Sequence, residues 1–329
     1  MRPGRVWVLA MSSLVLVAGC APVVRLLPGS ASAAPGGSGA AAEPDSGVRT
    51  VRMNSGPALT YLLPETAAQI LCQILEKDRW EQVLEDRVGR RLSGAECQVA
   101  GERIGLSLRL SGGDEAFTAR TVIGGRPALA LRGDDDEVGY RVALTDEALR
   151  PGRGRISLPL LDFTVTYGTG LDPPARRELA VRVLAEIVPR LAQVGDQLPG
   201  LDEQGRMGYV STGLTRGGQI IDLPRPVQAL QLCTLALAQL GVAPTQVDVA
   251  GTGRCEFGTG DGPVVLALQP AGAATTTTSV DRIAGRPARW ATGSGAILVR
   301  LRDDAPVELS VSARESTRLA ERLVPVLLG

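Results

Sequence analysis

Five cysteines carry the most specific chemistry in this chain: Cys20, Cys72, Cys97, Cys233 and Cys255. Cys20 follows Val17-Ala18-Gly19, directly behind an apolar stretch from Val6 to about Val17 that Arg2 and Arg5 precede. Basic residues, an apolar run, small residues and then cysteine read as a bacterial secretion signal ending in a lipobox. The small residues fit the narrow cleft of a signal peptidase. The cysteine left at the new N-terminus can take a diacylglycerol through a thioether. An ordinary cleaved signal or an uncleaved anchor is the alternative, but the stretch is shorter than the roughly 20 apolar residues a span needs. With Cys20 lipidated, an even four remain. An exported chain meets an oxidising compartment, so the expected bridges are Cys72–Cys97 and Cys233–Cys255. Free buried thiols are the alternative, and a four-cysteine zinc site would lack any C-x2-C spacing.

Composition removes other chemistry. The chain has no histidine, which excludes Ser-His-Asp and Cys-His nucleophile systems and the commonest transition-metal ligand. Lys77 is the only lysine and sits in the charged run Glu76-Lys77-Asp78-Arg79, a solvated helix start. Losing Arg2 and Arg5 with the signal leaves a net charge of about −2 with no polybasic stripe, which argues against nucleic acid and against electrostatic membrane binding. With so few aromatics besides Trp80 and Trp290, no platform for stacking sugars or bases is expected. No cofactor and no metal are expected.

The elements that must position the cysteines form a repeat. Gly125-Arg126-Pro127-Ala128 recurs as Gly285-Arg286-Pro287-Ala288, and each follows a cysteine pair with a helical stretch. Downstream, Leu184-Ala185-Glu186-Ile187-Val188-Pro189 is echoed by Leu319-Ala320-Glu321-Arg322-Leu323-Val324-Pro325. The expected organisation is a signal peptide at 1–19, a flexible Ala/Gly/Ser/Pro-rich tether at 20–47, a first domain at 48–195, a linker at 196–216 and a second domain at 217–329. In the first repeat Trp80, Val83, Leu84 and Val88 fall on one helical face, and Ile104, Leu106, Leu108 and Leu110 alternate as a half-buried strand does. A last helix opens after Asp172-Pro173-Pro174. The second repeat shows strands near 263–269, 296–301 and 306–311 and a helix near 315–328. The fold class is α+β, two tandem sandwiches, each a mainly antiparallel sheet with an N-terminal and a C-terminal helix. The first repeat is longer between 131 and 172, where an extra strand or hairpin is expected with Asp134–Glu137 at its tip.

The run Cys72-Gln73-Ile74-Leu75 through Val88-Gly89 to Cys97-Gln98-Val99 has a counterpart in Cys233-Thr234-Leu235 through Leu240-Gly241 to Cys255-Glu256-Phe257. Together with the Gly-Arg-Pro-Ala strings, this order resembles the secreted lipoprotein family of unknown function in mycobacteria and other actinomycetes that is similar to LpqN-type lipoproteins. The resemblance implies a PsbP-like α/β sandwich, an extracytoplasmic location and a role in binding or sensing. Two features depart from it: Asp172-Pro173-Pro174 stands where the family often has a cysteine, and the unit occurs twice.

Remaining candidates have bland readings. Arg126 and Arg286 could present a guanidinium to an anionic ligand or partner, though Gly-Arg-Pro-Ala more simply turns into an edge strand. The glycines at 251, 253, 258, 260 and 262 read as turns flanking Cys255, without the ending of a phosphate loop. Thr275–Thr278 with Ser279 reads as a polar loop. With no nucleophile constellation, the expected function is a non-enzymatic envelope lipoprotein. It would be anchored to the outer face of the cell membrane through Cys20 and bind an envelope protein or component. A carrier or receptor for an apolar ligand such as a lipid is the alternative.

Overall fold

Pro64 opens the first helix, α1 (Pro64–Gln73), at the position where a missing N–H costs nothing and proline's φ is already helical. The computed structural model describes residues 45–113, 118–131, 138–145, 158–195, 198–202, 204–243, 246–272 and 276–329. A 3-10 turn, Gly56–Tyr61, precedes α1, and α2 (Lys77–Leu84) follows it. Trp80, Val83 and Leu84 are the buried face of α2, as their spacing predicts. Val88 does not continue that face. The helix is capped by Glu85 in the left-handed region, φ 52°, and Val88 opens a strand instead.

Seven strands make the first sheet: β1 (Val88–Ser93), β2 (Glu96–Gly101), β3 (Ile104–Gly113), β4 (Thr121–Ile123), β5 (Arg126–Leu131), β6 (Val138–Ala143) and β7 (Leu158–Gly168). Their order is β1-β2-β3-β7-β6-β5-β4, antiparallel throughout. α3 (Pro173–Leu191) closes the repeat and packs on β4, β6 and β7, while α1 packs on β1, β2 and β3. Ile104, Leu106 and Leu108 join Phe163, Val165 and the inward residues of all three helices in one core. Asp172 caps α3 by accepting from the Ala175 amide at 2.8 Å. Asp172→Ala should therefore cost about 1 kcal/mol of stability in a urea titration; no change would mean that Pro173 and Pro174 alone set the helix start.

The second repeat has β8 (Arg206–Met207), a 3-10 turn (Gln219–Asp222), α4 (Arg225–Leu240), β9 (Val247–Ala250), β10 (Arg254–Thr259), β11 (Gly262–Pro270), β12 (Thr276–Ile283), β13 (Arg286–Ala291), β14 (Ile297–Arg300), β15 (Val307–Ser312) and α5 (Ser316–Leu328). Its sheet runs β12-β13-β14-β15-β11-β10-β9-β8. Leaving out β8, this is the order of the first sheet, strand for strand, and among the described residues no strand of one repeat enters the other sheet. The chain is α+β with two antiparallel sheets. The repeated strings fall at equivalent places. Ile123 pairs with Arg126 across the β4–β5 turn, and Ile283 pairs with Arg286 across the β12–β13 turn. Both turns need two residues of positive φ, supplied by Gly124-Gly125 (59° and 77°) and by Ala284-Gly285 (48° and 78°). A Cβ on Gly124 would come within 2.9 Å of the Val188 Cβ on α3, so only the first repeat needs glycine there for space as well.

Three expectations need correction or relocation. Among the described residues no extra strand lies between 131 and 172. β6 and β7 match β14 and β15, and β7 is simply longer, 11 residues against 6. The additional strand, β8, belongs to the second sheet. Asp134–Glu137 lies outside the described residues. The threonine tract is strand rather than loop from Thr276 onward, as β-branched side chains favour.

The sheet margins are irregular. Ser46 makes a parallel bridge to Arg91 beside β1, with Asp45 paired to Arg90 at 2.6 Å. At the far margins β4 has three residues and β8 two, and β12 breaks register with β13 twice.

Candidate functional site

Cys72 on α1 is bonded to Cys97 on β2, and Cys233 on α4 to Cys255 on β10, each with Cα atoms 5.4 Å apart. All four are fully buried and tie the first long helix of each repeat to its sheet. The pairing is the one the spacing predicts, and it fits an oxidising, extracytoplasmic compartment. Among the described residues no helix is long and apolar enough to cross a membrane. Cys20 lies outside the described residues. Arg126 and Arg286 begin β5 and β13, and neither lines the cleft described next. Arg286 is used internally: it donates to the carbonyls of Arg300 and Leu301 at 3.3 and 2.5 Å and to Asp303 at 3.1 Å.

Both repeats belong to one compact unit, Ala40–Gly329. A buried charge cluster joins them. Arg49, ahead of α1, donates to both carboxylate oxygens of Asp222, at 2.7 and 2.9 Å, and to Glu65 at 3.0 Å. The Arg49 and Asp222 side chains are only 7% and 4% exposed. Burial disfavours the Arg49 charge, but the Asp222 and Glu65 carboxylates more than offset this and raise its pKa above the ordinary arginine value. Around the cluster Asn54 donates to the Asp222 carbonyl at 3.3 Å and Thr66 to the Ile221 carbonyl at 3.1 Å. Leu63 of the first repeat is part of the second repeat's core.

Next to this seam lies a cleft of about 880 Å³ with walls from both repeats. The first repeat supplies the turn before α1 (Leu59, Tyr61, Leu62), Pro64 and Ala67 of α1, and Leu110 and Ser111 of β3. The second supplies Arg225 at the start of α4, Asp248 of β9, Gly251 in the β9–β10 turn, and Arg254 and Glu256 of β10. The connecting stretch adds Leu201, Gln204 and Arg206. That stretch is fastened to the second repeat: β8 pairs with β9, Tyr209 and the Thr212 amide reach the Thr234 hydroxyl, and the Thr215 amide donates to Gln231 at 3.0 Å.

Among the described residues the charges of this cleft do not balance. Arg206 pairs with Asp248 at 3.2 Å and Arg254 with Glu256 at 2.6 Å. Arg225 has no hydrogen bond or ion pair among the described residues. Its Nε is buried without an acceptor, and burial, with no carboxylate to compensate, pushes its pKa below the usual arginine value. The Ser111 hydroxyl is also buried and unpartnered, and burial pushes the Tyr61 phenol up in pKa. Gly253 lets the β9–β10 turn lie against Arg225, since a Cβ there would stand 3.3 Å from the Arg225 Cβ. These groups offer unpaired donors that an acceptor-rich, anionic group could use. Sequence reasoning passed over Arg225 because it is one arginine among many, in an Arg-Pro pair that reads as an ordinary helix start. No family model, no curated protein and no solved structure matches this chain.

Proposed function

We propose that this chain is an extracytoplasmic binding lipoprotein without enzymatic activity, a tandem form of the LpqN-like kind, that holds an envelope component in the cleft between its repeats. The observation that carries the reading is the cleft itself: both repeats and the connecting stretch build it, and the Arg49–Asp222 seam beside it fixes one repeat against the other. The lipobox ending at Cys20 supports a diacylglycerol anchor on the outer face of the membrane. The paired cysteines support export. The apolar wall of the cleft favours a lipid-like component over a nucleic acid or a sugar.

Two experiments test this. Cys20→Ala should release the protein to the medium or leave an unprocessed precursor, scored by fractionation and by the mass of the N-terminal peptide. Normal processing with unchanged membrane retention would remove the anchor from the proposal. A photo-crosslinking residue at Gln204, in the cleft, should capture an envelope component on intact cells, whereas one at the exposed Val122 on β4 should not. Equal capture at both positions, or none at 204, would defeat the cleft as the binding site.

A further inference from the structure

The imbalance of charge in the cleft names the kind of ligand. An arginine that loses solvation on folding and gains no acceptor is a cost the fold would ordinarily remove, by pairing or by substitution. Arg206 and Arg254, on the same cleft, each have a carboxylate. Arg225 has none among the described residues, and the first turn of α4, which it opens, contains no acidic residue and no side-chain cap. The positive end of that helix therefore adds to the guanidinium rather than offsetting it. Tyr61, Pro64, Leu110 and Leu201 line the same cleft and give it apolar surface, beside the hydroxyls of Tyr61 and Ser111 and the polar side chains of Thr60, Gln204 and Thr252. The site is thus two-part, one anion-holding end and one apolar wall.

We propose that the cleft takes an anionic amphiphile, with its carboxylate or phosphate head on Arg225 and its chain laid along Tyr61, Pro64, Leu110 and Leu201. This rests on the cleft being the binding site and adds the class of ligand. An extended acidic peptide fits less well. It would need a free strand edge to satisfy its backbone, and at this wall β9 already pairs with β8, Arg206 with Ala250 and Met207 with Val249. The size agrees with an ordinary small-molecule cleft of roughly 300–1,000 Å³.

The test uses the full chain reconstituted in vesicles of uncharged phosphatidylcholine. Three photoactivatable probes of equal chain length are compared: hexadecanoate, hexadecyl phosphate and hexadecanol. Labelled peptides are mapped by mass spectrometry. Either or both anionic probes should label peptides spanning Leu59–Pro64 or Leu201–Arg206, and the alcohol should label them far less. The comparison of the two anions separates a carboxylate head from a phosphate one. Arg225→Gln should reduce anionic labelling about tenfold, as loss of one charged hydrogen-bonding partner implies, while Arg225→Lys should retain most of it. Unchanged disulfide mapping and melting temperature in both variants would show that the fold is intact. Equal labelling by the alcohol, or cleft labelling indifferent to Arg225→Gln, would overturn the ligand class and leave the cleft standing. Absence of cleft labelling by all three probes would overturn the ligand class too, and capture at Gln204 on cells would then decide separately whether the cleft binds at all. A photoactivatable glutamate-rich peptide that labels the cleft through Arg225 when the amphiphiles do not would overturn the proposal in favour of a protein partner.

Discussion

Asp222→Ala should lower the stability of the protein by about 3–5 kcal/mol, the cost of leaving a buried charge without its partner. Arg49 is the charge in question. It is 7% exposed, and Glu65 at 3.0 Å can reach one of its terminal nitrogens but not replace a two-pronged contact. The loss has a spatial meaning, because Arg49 belongs to the first repeat and Asp222 to the second. Denaturation followed by Trp80 in one repeat and Trp290 in the other should show coincident transitions in the parent chain and separated ones in Asp222→Ala. The double variant Arg49→Met, Asp222→Leu should recover much of the loss, since a buried pair replaced by apolar side chains of similar volume costs far less than half a pair. A single variant within about 1 kcal/mol of the parent would show that the cluster does not hold the repeats together.

Removing either disulfide should cost a comparable amount, about 3 kcal/mol in the chain-entropy account, for loops closed over 25 and 22 positions. The effect should be local. Cys72→Ser with Cys97→Ser frees α1 from β2, so the first repeat should melt earlier while the Trp290 signal holds. Cys233→Ser with Cys255→Ser should do the reverse. Calorimetry with both double variants checks this, and peptide mapping under non-reducing conditions checks the pairing. A loss below about 1 kcal/mol in both double variants would mean that the helices are held by packing alone.

What could be read from the sequence was local or repeated. The cysteine pairs, the Gly-Arg-Pro-Ala turns and the terminal helices are each short patterns, and their recurrence in one order fixed the plan of two similar sheets. The spacing puts Val88 on a helix because apolar periodicity carries no record of where a helix stops; Glu85 in the left-handed region ends it. The threonine tract at 276 reads as loop by its polarity, but its β-branched residues favour strand, and strand prevails. The site was the least legible part. Arg49 and Asp222 are 173 positions apart, and no periodicity links them. The cleft draws on two turns, two helix starts, three strands and the connecting stretch, none of which carries a motif. Arg225 stands out only once its surroundings show that no carboxylate among the described residues reaches it.

The irregular sheet margins would matter at a crowded surface, if the chain is anchored there as proposed. A tethered protein diffuses in two dimensions, where neighbours meet far more often than in free solution, and bare strand edges are the surfaces that zip together on meeting. Here one margin is occupied by the chain's own residue 46, two others are only three and two residues long, and the fourth is twice thrown out of register. None presents a long, straight row of amides to a neighbour. A dense layer of such molecules, anchored as proposed, should stay a fluid of single particles.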